Sequence, residues 1–397
     1  MKKVLIVNKF YYNRGGAEVV AIGMKRALQS KGYDVAVFTM QHKENFVEDN
    51  CYYAPEVSFQ GGVKNKIQFA LRSLGGYKLR STFRKTLKDF NPDVVHFHNI
   101  HSYLSPSIIE EAKNFGCRVV WTLHDCKLLC PSYGCLRENK PCELCFHDKF
   151  NVVKYRCMKG SLAASLLAYI ESKKWNRAWI ERHVDAFACP SSFIAGKMQQ
   201  GGFDAKKLNV ICNFVDPAKY EIFKLQNESE REDSYLYVGR LSQEKGVKTL
   251  LEVASKLQYR LKVAGGGPLL DEFKEKYKDC KNIEFLGLQS ASQVSDLMAK
   301  AKFAVIPSEC YENNPLSVIE SLCAGTPVIG ANIGGIPELI DNNQSGLIFT
   351  SGNKQELKEA IENAIAVNWD YRKIKQESLI RFSQEKHFEL LEKVYKC

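Results

Sequence analysis

No stretch of the sequence is apolar over the roughly 20 residues that a helix needs to span a bilayer. The first apolar run, residues 4–7, is also too short for the apolar core of a secretion signal and is typical of a buried strand. Internal repeats and low-complexity segments are absent too, which leaves no support for a repeat architecture. We therefore expect a cytosolic protein whose 14 cysteines are mostly reduced thiols or metal ligands.

Length and composition indicate a globular protein of two domains. The 397 residues exceed one ordinary hydrophobic core, and the shares of hydrophobic (45%) and charged (25%) residues are those of a globular protein. Short β-branched runs alternate with helical patterns along the chain, which predicts an α/β fold with parallel sheets covered by helices. The composition changes at residues 209–216, and this separates a first domain, residues 1–212, from a second that begins at residue 213.

Glu312 and Glu320 are the acidic residues that most clearly indicate a binding site. Glu312 follows the strand pattern at residues 304–306, and Glu320 lies about two turns into a helix that starts near Pro315. Both carboxylates are thus expected at the C-terminal edge of a sheet, where open α/β folds bind ligands. Because ionised carboxylates only accept hydrogen bonds, each can bind a pair of hydroxyls of a sugar or ribose.

A cationic pair lies in the same half of the chain. Arg240 comes just after the strand pattern at residues 235–238, and Lys245 opens the next helical segment. A guanidinium and an ammonium in these places can neutralise a leaving diphosphate.

Glycine-rich turns follow strand patterns in both halves. Gly15 and Gly16 precede the first helix, and residues 265–267 follow the strand pattern at 261–264. Glycine lets backbone amides approach a phosphate. A tight turn is the alternative, since neither turn has the full dinucleotide fingerprint.

Taken in order, these motifs resemble those of nucleotide-sugar glycosyltransferases of the GT-B fold, specifically the retaining family 4 (glycosyl transferases group 1) of the bacterial surface-polysaccharide type. In the N-terminal half the resemblance rests on residues 15–18, 93–98 and 122–125. In the C-terminal half it rests on residues 239–246, 312–320, 325–328 and 334–338. The resemblance covers nearly the whole chain.

The resemblance implies two Rossmann-like domains that face a central cleft. Residues 1–212 form the acceptor side, residues 213–370 the donor side, and a terminal helix at residues 371–397 crosses back onto the first domain. It implies a metal-independent enzyme without a catalytic cofactor that moves a sugar from a nucleotide diphosphate to a glycan or lipid-linked glycan in surface polysaccharide or lipopolysaccharide assembly. UDP is expected ahead of GDP as the donor nucleotide.

The resemblance also assigns roles to single residues. Arg240 and Lys245 hold the diphosphate, and Glu320 binds the ribose hydroxyls. Glu312 contacts the donor sugar, and His124 lies beside that sugar. The implied catalytic set is Glu312, His124, Arg240 and Lys245. The implied donor-binding set is Gly15, Gly16, Gly239, Arg240, Lys245, Gly265, Asn313, Asn314, Leu316 and Glu320.

One departure from the family pattern concerns the donor sugar. The family commonly has glycines after the first glutamate, where this chain has Asn313, Asn314 and Pro315. Pro315 has no N–H, so a backbone contact that a glycine would make there is lost, while the amides at the helix start near Leu316 remain. The departure bears on sugar specificity and not on the reaction class.

Six cysteines cluster in an insertion at residues 126–157. Cys142 and Cys145 form a CxxC motif, which Cys130 and Cys157 would complete to a tetrahedral structural zinc site. Plain reduced thiols and disulfides are the alternatives.

Histidines gather at the ends of two predicted strands. A metal site at His96 and His98 is disfavoured, because no carboxylate joins them in sequence. We instead expect His98, Asn99 and His101 to line the acceptor side of the cleft. His124 is expected in the cleft, with a core position as the alternative.

The net charge of +11 is concentrated in the first half of the chain. Residues 64–88 hold eight basic residues and no acidic one, interleaved with apolar residues. Such a surface suits an anionic membrane or a lipid-phosphate substrate, and residues 161–183 have a similar mixed helical pattern. Solvated or core-packed helices are the alternatives. We expect a protein peripheral on the inner face of the cytoplasmic membrane, without a nucleic-acid partner because no motif supports one.

Two other functions fit the same architecture. One is a sugar-nucleotide epimerase, and the other is a non-catalytic subunit that binds a nucleotide or glycan. The order of Arg240, Lys245 and the paired glutamates favours the transferase, and their joint presence argues against a decayed site.

Overall fold

The computed structural model of the protein describes residues 2–225 and 230–396. The chain forms two compact units. Unit 1 consists of Met1–Cys135, Cys142–Ile211 and Phe388–Cys397, and unit 2 consists of Leu136–Pro141 and Cys212–His387. The main boundary between the units thus falls after residue 211, against a predicted boundary after residue 212.

The described residues form 15 strands. They are β1 Lys3–Val7, β2 Asp34–Met40, β3 Cys51–Ala54, β4 Val94–Phe97, β5 Arg118–Thr122, β6 Leu136–Arg137, β7 Lys140–Pro141, β8 Ala186–Cys189, β9 Leu208–Val210, β10 Ser234–Val238, β11 Arg260–Ala264, β12 Ile283–Gly287, β13 Ala304–Ile306, β14 Val328–Ala331 and β15 Gly346–Phe349.

Two large parallel sheets organise the units. The seven-stranded sheet of unit 1 has the order β3-β2-β1-β4-β5-β8-β9, and the six-stranded sheet of unit 2 has the order β12-β11-β10-β13-β14-β15. β6 and β7 form a separate antiparallel pair. Strands such as β4 and β8 are buried along their whole length, as expected for strands covered on both faces. The prediction of two Rossmann-like parallel-sheet domains is confirmed.

Each large sheet is doubly wound. The chain enters at a central strand, builds one side of the sheet, and then returns to build the other side. This order creates a switch point between β1 and β4 in unit 1 and between β10 and β13 in unit 2. Doubly wound sheets bind ligands in the crevice outside the strand ends at such points.

Seventeen α-helices connect and cover the strands in the described residues. They are α1 Gly16–Ser30, α2 Val63–Ser73, α3 Tyr77–Phe90, α4 Ser107–Asn114, α5 Leu144–His147, α6 Asn151–Lys154, α7 Leu162–Lys174, α8 Arg177–His183, α9 Ser192–Gln200, α10 Pro217–Leu225, α11 Val247–Ala254, α12 Leu270–Lys276, α13 Ala291–Lys300, α14 Leu316–Cys323, α15 Lys354–Ala366, α16 Tyr371–Arg381 and α17 Gln384–Lys396. None of the described helices combines the length and the apolar character that a membrane span requires.

Two segments predicted as continuous helices are interrupted. Residues 161–183 form α7 and α8, because the Asn176 side chain accepts a hydrogen bond from the Trp179 amide and starts a new helix. Residues 371–397 were predicted as one terminal helix, but the described part of them forms α16 and α17, which Phe382 and Ser383 separate.

The end of α17 belongs to unit 1. The Tyr395 hydroxyl lies 2.7 Å from His96 Nδ1, and the Tyr395 carbonyl accepts a hydrogen bond from Lys2 Nζ at 2.9 Å. Arg118 Nε donates to the Val394 carbonyl at 3.1 Å. These bonds join the last helix to residues at the beginning of β1, in β4 and at the start of β5.

Candidate active site

The switch point of unit 2 brings together the loops that follow β10 and β13. Gly239 and Arg240 come directly after β10, and the loop after β13 carries Ser308, Glu312 and Asn313. The two strands are neighbours in the sheet. The cationic and acidic motifs, which are far apart in sequence, therefore begin at adjacent strand ends.

Lys245 and Glu312 form an ion pair in this crevice. Lys245 Nζ lies 2.6 Å from Glu312 Oε1, and the Ser308 hydroxyl donates to the same oxygen at 2.8 Å. Burial lowers the pKa of Lys245, but Glu312, assisted by Cys310 and Glu244, outweighs this effect, so the net pKa lies above its ordinary value. The structure thus joins two predicted site residues and adds Ser308, which the sequence analysis did not identify.

A tight turn after Lys245 packs its loop against the end of β13. Gly246 has a φ of 67°, and a Cβ atom there would lie 1.8 Å from the Pro307 carbonyl oxygen. A side chain at this position would force the backbone to move. The Glu309 amide also donates to the Glu244 carbonyl at 2.9 Å, which joins the two loops a second time. The motif glycine therefore allows Lys245 to approach Glu312.

Gly334 and Gly335 support Glu312 from the other side. Gly334 has a φ of 62°, and a Cβ atom there would lie 2.2 Å from the Glu312 carbonyl oxygen. The Gly335 amide donates to that same oxygen at 2.7 Å. The glycine pair thus permits two backbones to pack closely, which holds the Glu312 loop in place.

Arg240 is exposed, and within the described residues its guanidinium has no ion-pair partner. Its carbonyl oxygen accepts a hydrogen bond from the Tyr237 hydroxyl at 2.9 Å, which fixes the backbone. The turn at Gly265 lies next to the Gly239–Arg240 loop, because the Gly239 amide donates to the Ala264 carbonyl at 3.1 Å. A guanidinium in this position is available to an anionic ligand.

Asn314 and Glu320 contact residues near the start of unit 2. The Asn313–Asn314 loop leads into α14, which begins at Leu316. Asn314 Oδ1 accepts from the Asn213 amide at 3.0 Å, so this oxygen is engaged within the protein. Glu320 is buried in α14 and pairs with Lys219 at 2.5 Å.

The environment of Glu320 has opposing effects on its pKa. Burial raises the pKa, and the Lys219 ammonium opposes this shift without cancelling it. No local pattern distinguishes Lys219 from surface lysines, so the sequence does not predict it. Its position opposite the predicted ribose-binding glutamate is visible only in the folded chain.

In unit 1 the switch point lies between β1 and β4. Asn8 and Lys9 follow β1, and His98 and Asn99 follow β4. The Asn99 amide donates to Asn8 Oδ1 at 3.0 Å, and the Lys9 amide donates to the Asn99 carbonyl at 2.9 Å. Two of the predicted acceptor-side residues therefore lie where doubly wound sheets bind ligands.

His98 and His124 are in contact at this edge. His98 Nδ1 lies 2.8 Å from His124 Nε2, and the rings are stacked. Burial, assisted by the Lys9 ammonium, lowers the pKa of His124 to about 3. His101 packs on Trp121 at 5.1 Å between ring centres, and burial lowers its pKa well below the ordinary value. His124 and His101 are therefore neutral imidazoles near neutral pH.

His96 has a structural role instead. It is fully buried, and its ring nitrogens contact the Tyr395 hydroxyl and the Thr122 hydroxyl, each at 2.7 Å. Among residues 2–225 and 230–396, no group of three His, Cys, Asp or Glu side chains is placed to hold a metal ion.

A buried ion pair that the sequence did not predict supports these loops. Lys127 Nζ lies 2.9 Å from Glu171 Oε2, and both side chains are almost fully buried. Glu171 also accepts from the Ser102 amide at 3.0 Å, so one carboxylate joins the loops after β4 and β5 to α7. Glu171 is the one acidic residue of α7, whose other residues are apolar, small or basic. Because a buried acid is rare unless it is paired, this lone acid in a core-packed helix was a signal for a buried ion pair.

Gly15 and Gly16 form the exposed start of α1. A Cβ atom at Gly16 would meet no atom within 4 Å, so the space in front of this helix is open within unit 1. Exposed amides at a helix N-terminus favour an anion.

The predicted zinc ligands are gathered only in part. The Cys130 thiol is in hydrogen-bond contact with those of Cys135 and Cys145, and Cys157 is near enough to Cys145 to affect its pKa. The Cys142 amide donates to the Cys135 carbonyl at 2.7 Å. Thiolates are good zinc ligands, but these contacts do not bring all four predicted ligand cysteines together. The structural zinc site stays a prediction.

Two family models together match residues 14–383 of the chain. The model for Glycosyltransferase Family 4 matches residues 14–219, and the model for Glycosyl transferases group 1 matches residues 219–383. The chain belongs to glycosyltransferase family 4. The predicted family is thereby confirmed, and every residue assigned to the donor site lies within the matched ranges of this glycosyltransferase.

The glycosyltransferase is similar to several known proteins. A protein of Klebsiella pneumoniae described as an uncharacterized 42.6 kDa protein in the cps region is 27% identical over 364 residues, 85% of this chain and 87% of that protein. Anabaena HepE in complex with UDP has a TM-score of 0.68 at 15% identity and covers 100% of both chains. The lipopolysaccharide outer core galactosyltransferase WaaB has a TM-score of 0.66 at 18% identity, covering 99% of this chain and 98% of its own. The two solved structures show the GT-B fold class.

Proposed function

We propose that this glycosyltransferase moves a sugar from a nucleotide-diphosphate sugar to a glycan or lipid-linked glycan and retains the anomeric configuration. The observation that carries the proposal is the Lys245–Glu312 ion pair beside the exposed Arg240 at the switch point of unit 2. The pair presents a cation and a hydrogen-bond acceptor together. Arg240 adds a second cation that no described residue neutralises.

The two cations serve the leaving group. As the bond between the anomeric carbon and the diphosphate breaks, negative charge grows on the diphosphate oxygen, and fixed cations stabilise that charge. Arg240 binds the diphosphate through its planar fork, and Lys245 contributes a point charge. Because both positive charges are supplied by side chains, the step needs no metal ion.

Glu312 and Glu320 orient the donor. The Glu312 carboxylate accepts hydrogen bonds from hydroxyls of the donor sugar, and Glu320 accepts those of the ribose. The ion pair of Glu320 with Lys219 favours the ionised form that this role requires. The acceptor hydroxyl attacks the anomeric carbon on the face from which the diphosphate leaves, and its proton passes to a diphosphate oxygen. The configuration is therefore kept.

Unit 1 supplies the acceptor side. The neutral imidazole of His124 is suited to exchange hydrogen bonds with a sugar hydroxyl without adding charge to the site. The amide of Gly16, at the open start of α1, is available to a phosphate oxygen. Asn99 and the partly buried His101 line the acceptor's approach, and the fully buried His98 orients His124 through their contact.

The biological setting is surface polysaccharide or lipopolysaccharide assembly. The support is that one similar protein lies in a cps region and that a structural neighbour is a lipopolysaccharide galactosyltransferase. A neighbour with bound UDP supports a UDP-sugar donor ahead of a GDP-sugar.

The test begins with calorimetric titration of UDP, GDP and ADP in the presence of a chelator. The sugar nucleotides of the base that binds are then incubated with and without a glycan acceptor, and the products are followed by NMR. We expect one nucleotide to bind without metal and transfer to require the acceptor, with the donor anomer kept.

Each other outcome identifies a different error. A changed sugar nucleotide formed without acceptor would identify an epimerase. Binding without turnover of any sugar nucleotide would indicate a non-catalytic subunit, and inversion of the anomer would refute the retaining mechanism. If none of the three nucleotides bound, the assignment of Arg240 and Lys245 to a donor site would be wrong.

A further inference from the structure

Helix α2 carries a stripe of exposed apolar side chains. Val63, Ile67 and Leu71 recur every four residues and are 73%, 54% and 61% exposed. They form one side of the helix over about 12 Å, while Phe69 on another side is buried in the domain. Three large apolar side chains in one exposed row are unusual for a surface that faces only water.

Helix α7 repeats the pattern. Leu162, Leu166 and Ile170 have the same four-residue spacing and are 52%, 44% and 43% exposed. The opposite side of this helix, which includes Ser165 and Ala168, is buried. α7 is therefore anchored in unit 1 by one side and presents an apolar stripe on the other.

The C-terminal ends of the two helices are bonded to each other. Lys174 Nζ donates to the Leu74 carbonyl at 2.7 Å, and Trp175 Nε1 donates to the Ser73 carbonyl at 3.0 Å. The two stripes thus lie on neighbouring helices of one unit. We call these six apolar residues together the apolar stripes.

The charge around the apolar stripes has one sign. Lys64 and Lys66 are exposed on α2, and Lys173 and Lys174 are exposed at the end of α7. The one acidic residue on either helix is Glu171, which is buried and paired within the domain. No exposed carboxylate on these helices would therefore repel an anionic partner.

Part of the basic run at residues 64–88 is engaged within the protein. Arg72 is buried and donates to two backbone carbonyls, and Arg80 pairs with Glu110 and Glu111. The remaining lysines of the run, Lys64, Lys66, Lys78, Lys85 and Lys88, are exposed. The structure thus separates the structural arginines from the lysines that are free to face a partner.

We infer that the apolar stripes dock unit 1 onto an anionic lipid bilayer. Apolar side chains that enter the interface, with lysines at the headgroup level, are the pattern by which helices lie on membranes. A second copy of this chain is a poorer occupant, because like charges on the two lysine rows would face each other. The inference concerns a surface of unit 1 and does not depend on the donor assigned to unit 2.

The test is flotation of the protein with vesicles of zwitterionic lipid alone and with vesicles in which a third of the lipid is anionic. One variant carries Ile67→Glu and Leu71→Glu, and a second carries Leu166→Glu and Ile170→Glu. The matched control carries Val47→Glu and Ile380→Glu, which are 93% and 72% exposed and lie outside the apolar stripes. All three variants change the net charge by the same amount.

We expect the wild type and the control to bind anionic vesicles and to bind zwitterionic vesicles much less. Each stripe variant should bind vesicles at least roughly tenfold more weakly, because two apolar side chains that would enter the bilayer interface are replaced by charged ones. Circular dichroism and urea unfolding, compared with the wild type, show whether unit 1 of each variant remains folded.

Three results would overturn the inference. The first is vesicle binding by both stripe variants equal to that of the control. The second is equal binding of the wild type to zwitterionic and anionic vesicles. The third is a concentration-dependent dimer in sedimentation that the stripe variants abolish, since a second copy would then occupy the surface.

Discussion

Replacement of Arg240 by alanine should separate nucleotide binding from folding. The guanidinium is exposed and has no ion-pair partner within the described residues, so its removal breaks no ion pair among them. We expect the free energy of unfolding to change by no more than about 0.5 kcal/mol. The loss should appear instead in affinity for the nucleotide diphosphate.

The size of that loss follows from the chemistry of the contact. A hydrogen bond to a charged group contributes about 1.5–3 kcal/mol, and 1.4 kcal/mol is a factor of ten in affinity. Arg240→Ala should therefore weaken UDP binding by about 10- to 150-fold in calorimetry. Arg260→Ala is the matched control, because Arg260 is also an exposed arginine of unit 2 and pairs only at the surface with Glu284.

Lys245→Ala provides the contrast. Its removal leaves the largely buried Glu312 carboxylate without its ion-pair partner, so both UDP affinity and stability should fall, the latter by about 1–2 kcal/mol in urea unfolding. If UDP bound Arg240→Ala as tightly as it binds Arg260→Ala, the placement of the diphosphate at this edge would be refuted.

Three further predictions concern stability, measured by urea unfolding. Glu171→Ala should cost about 3–5 kcal/mol, because it leaves the buried Lys127 ammonium without its partner. Gly246→Ala should cost more than about 2 kcal/mol, because its Cβ atom would overlap the Pro307 carbonyl oxygen at a positive φ. Burial lowers the pKa of His387 from 6.5 to about 4. The unfolded chain therefore binds more protons between these values, and stability falls as pH falls through this window. His387→Asn should remove about 2 kcal/mol from the stability loss between pH 7 and pH 5.

Each of the three has a control in the same chain. Glu284→Ala breaks an exposed pair and should cost less than about 1 kcal/mol, so an equal cost for Glu171→Ala would contradict the role of burial. Gly32→Ala has a positive φ but no atom within 4 Å of its Cβ, so it measures backbone strain without overlap. If Gly246→Ala lowered the free energy of unfolding by no more than Gly32→Ala does, the overlap with the Pro307 carbonyl oxygen would be refuted. An unchanged pH slope in His387→Asn would show that His387 is not the group that titrates.

Central strands of the two large sheets were predictable from the sequence, whereas three of the four edge strands were not. The runs at residues 94–97, 186–189 and 304–306 coincide with β4, β8 and β13. β3, β9 and β15 were missed, and all three lie at the edges of their sheets. The fourth edge strand, β12, was predicted, from the run at residues 283–286. A central parallel strand is covered on both faces and appears as a continuous apolar run, whereas an edge strand is covered less and has a weaker signal.

Helix ends were less predictable than helices. The pattern at residues 161–183 continues through Trp175 without a glycine or proline, yet α7 ends at Lys174. The Trp175 ring is held by its hydrogen bond to the Ser73 carbonyl, a contact with a residue far away in sequence. This tertiary contact competes with the local preference to continue the helix and acts together with the Asn176 cap that starts α8.

Local patterns along the chain indicate which residues follow strand ends and which turns need glycine, because burial and backbone conformation leave such patterns. They were enough to identify Arg240, Lys245, Glu312 and Glu320 as the candidate donor site. Which side chains meet depends on the folded chain. Lys245 pairs with Glu312 across 67 residues and Glu320 with Lys219 across 101. These pairs depend on the order of strands in the sheet, which sets neighbouring strand ends and leaves no trace in any local segment of the chain.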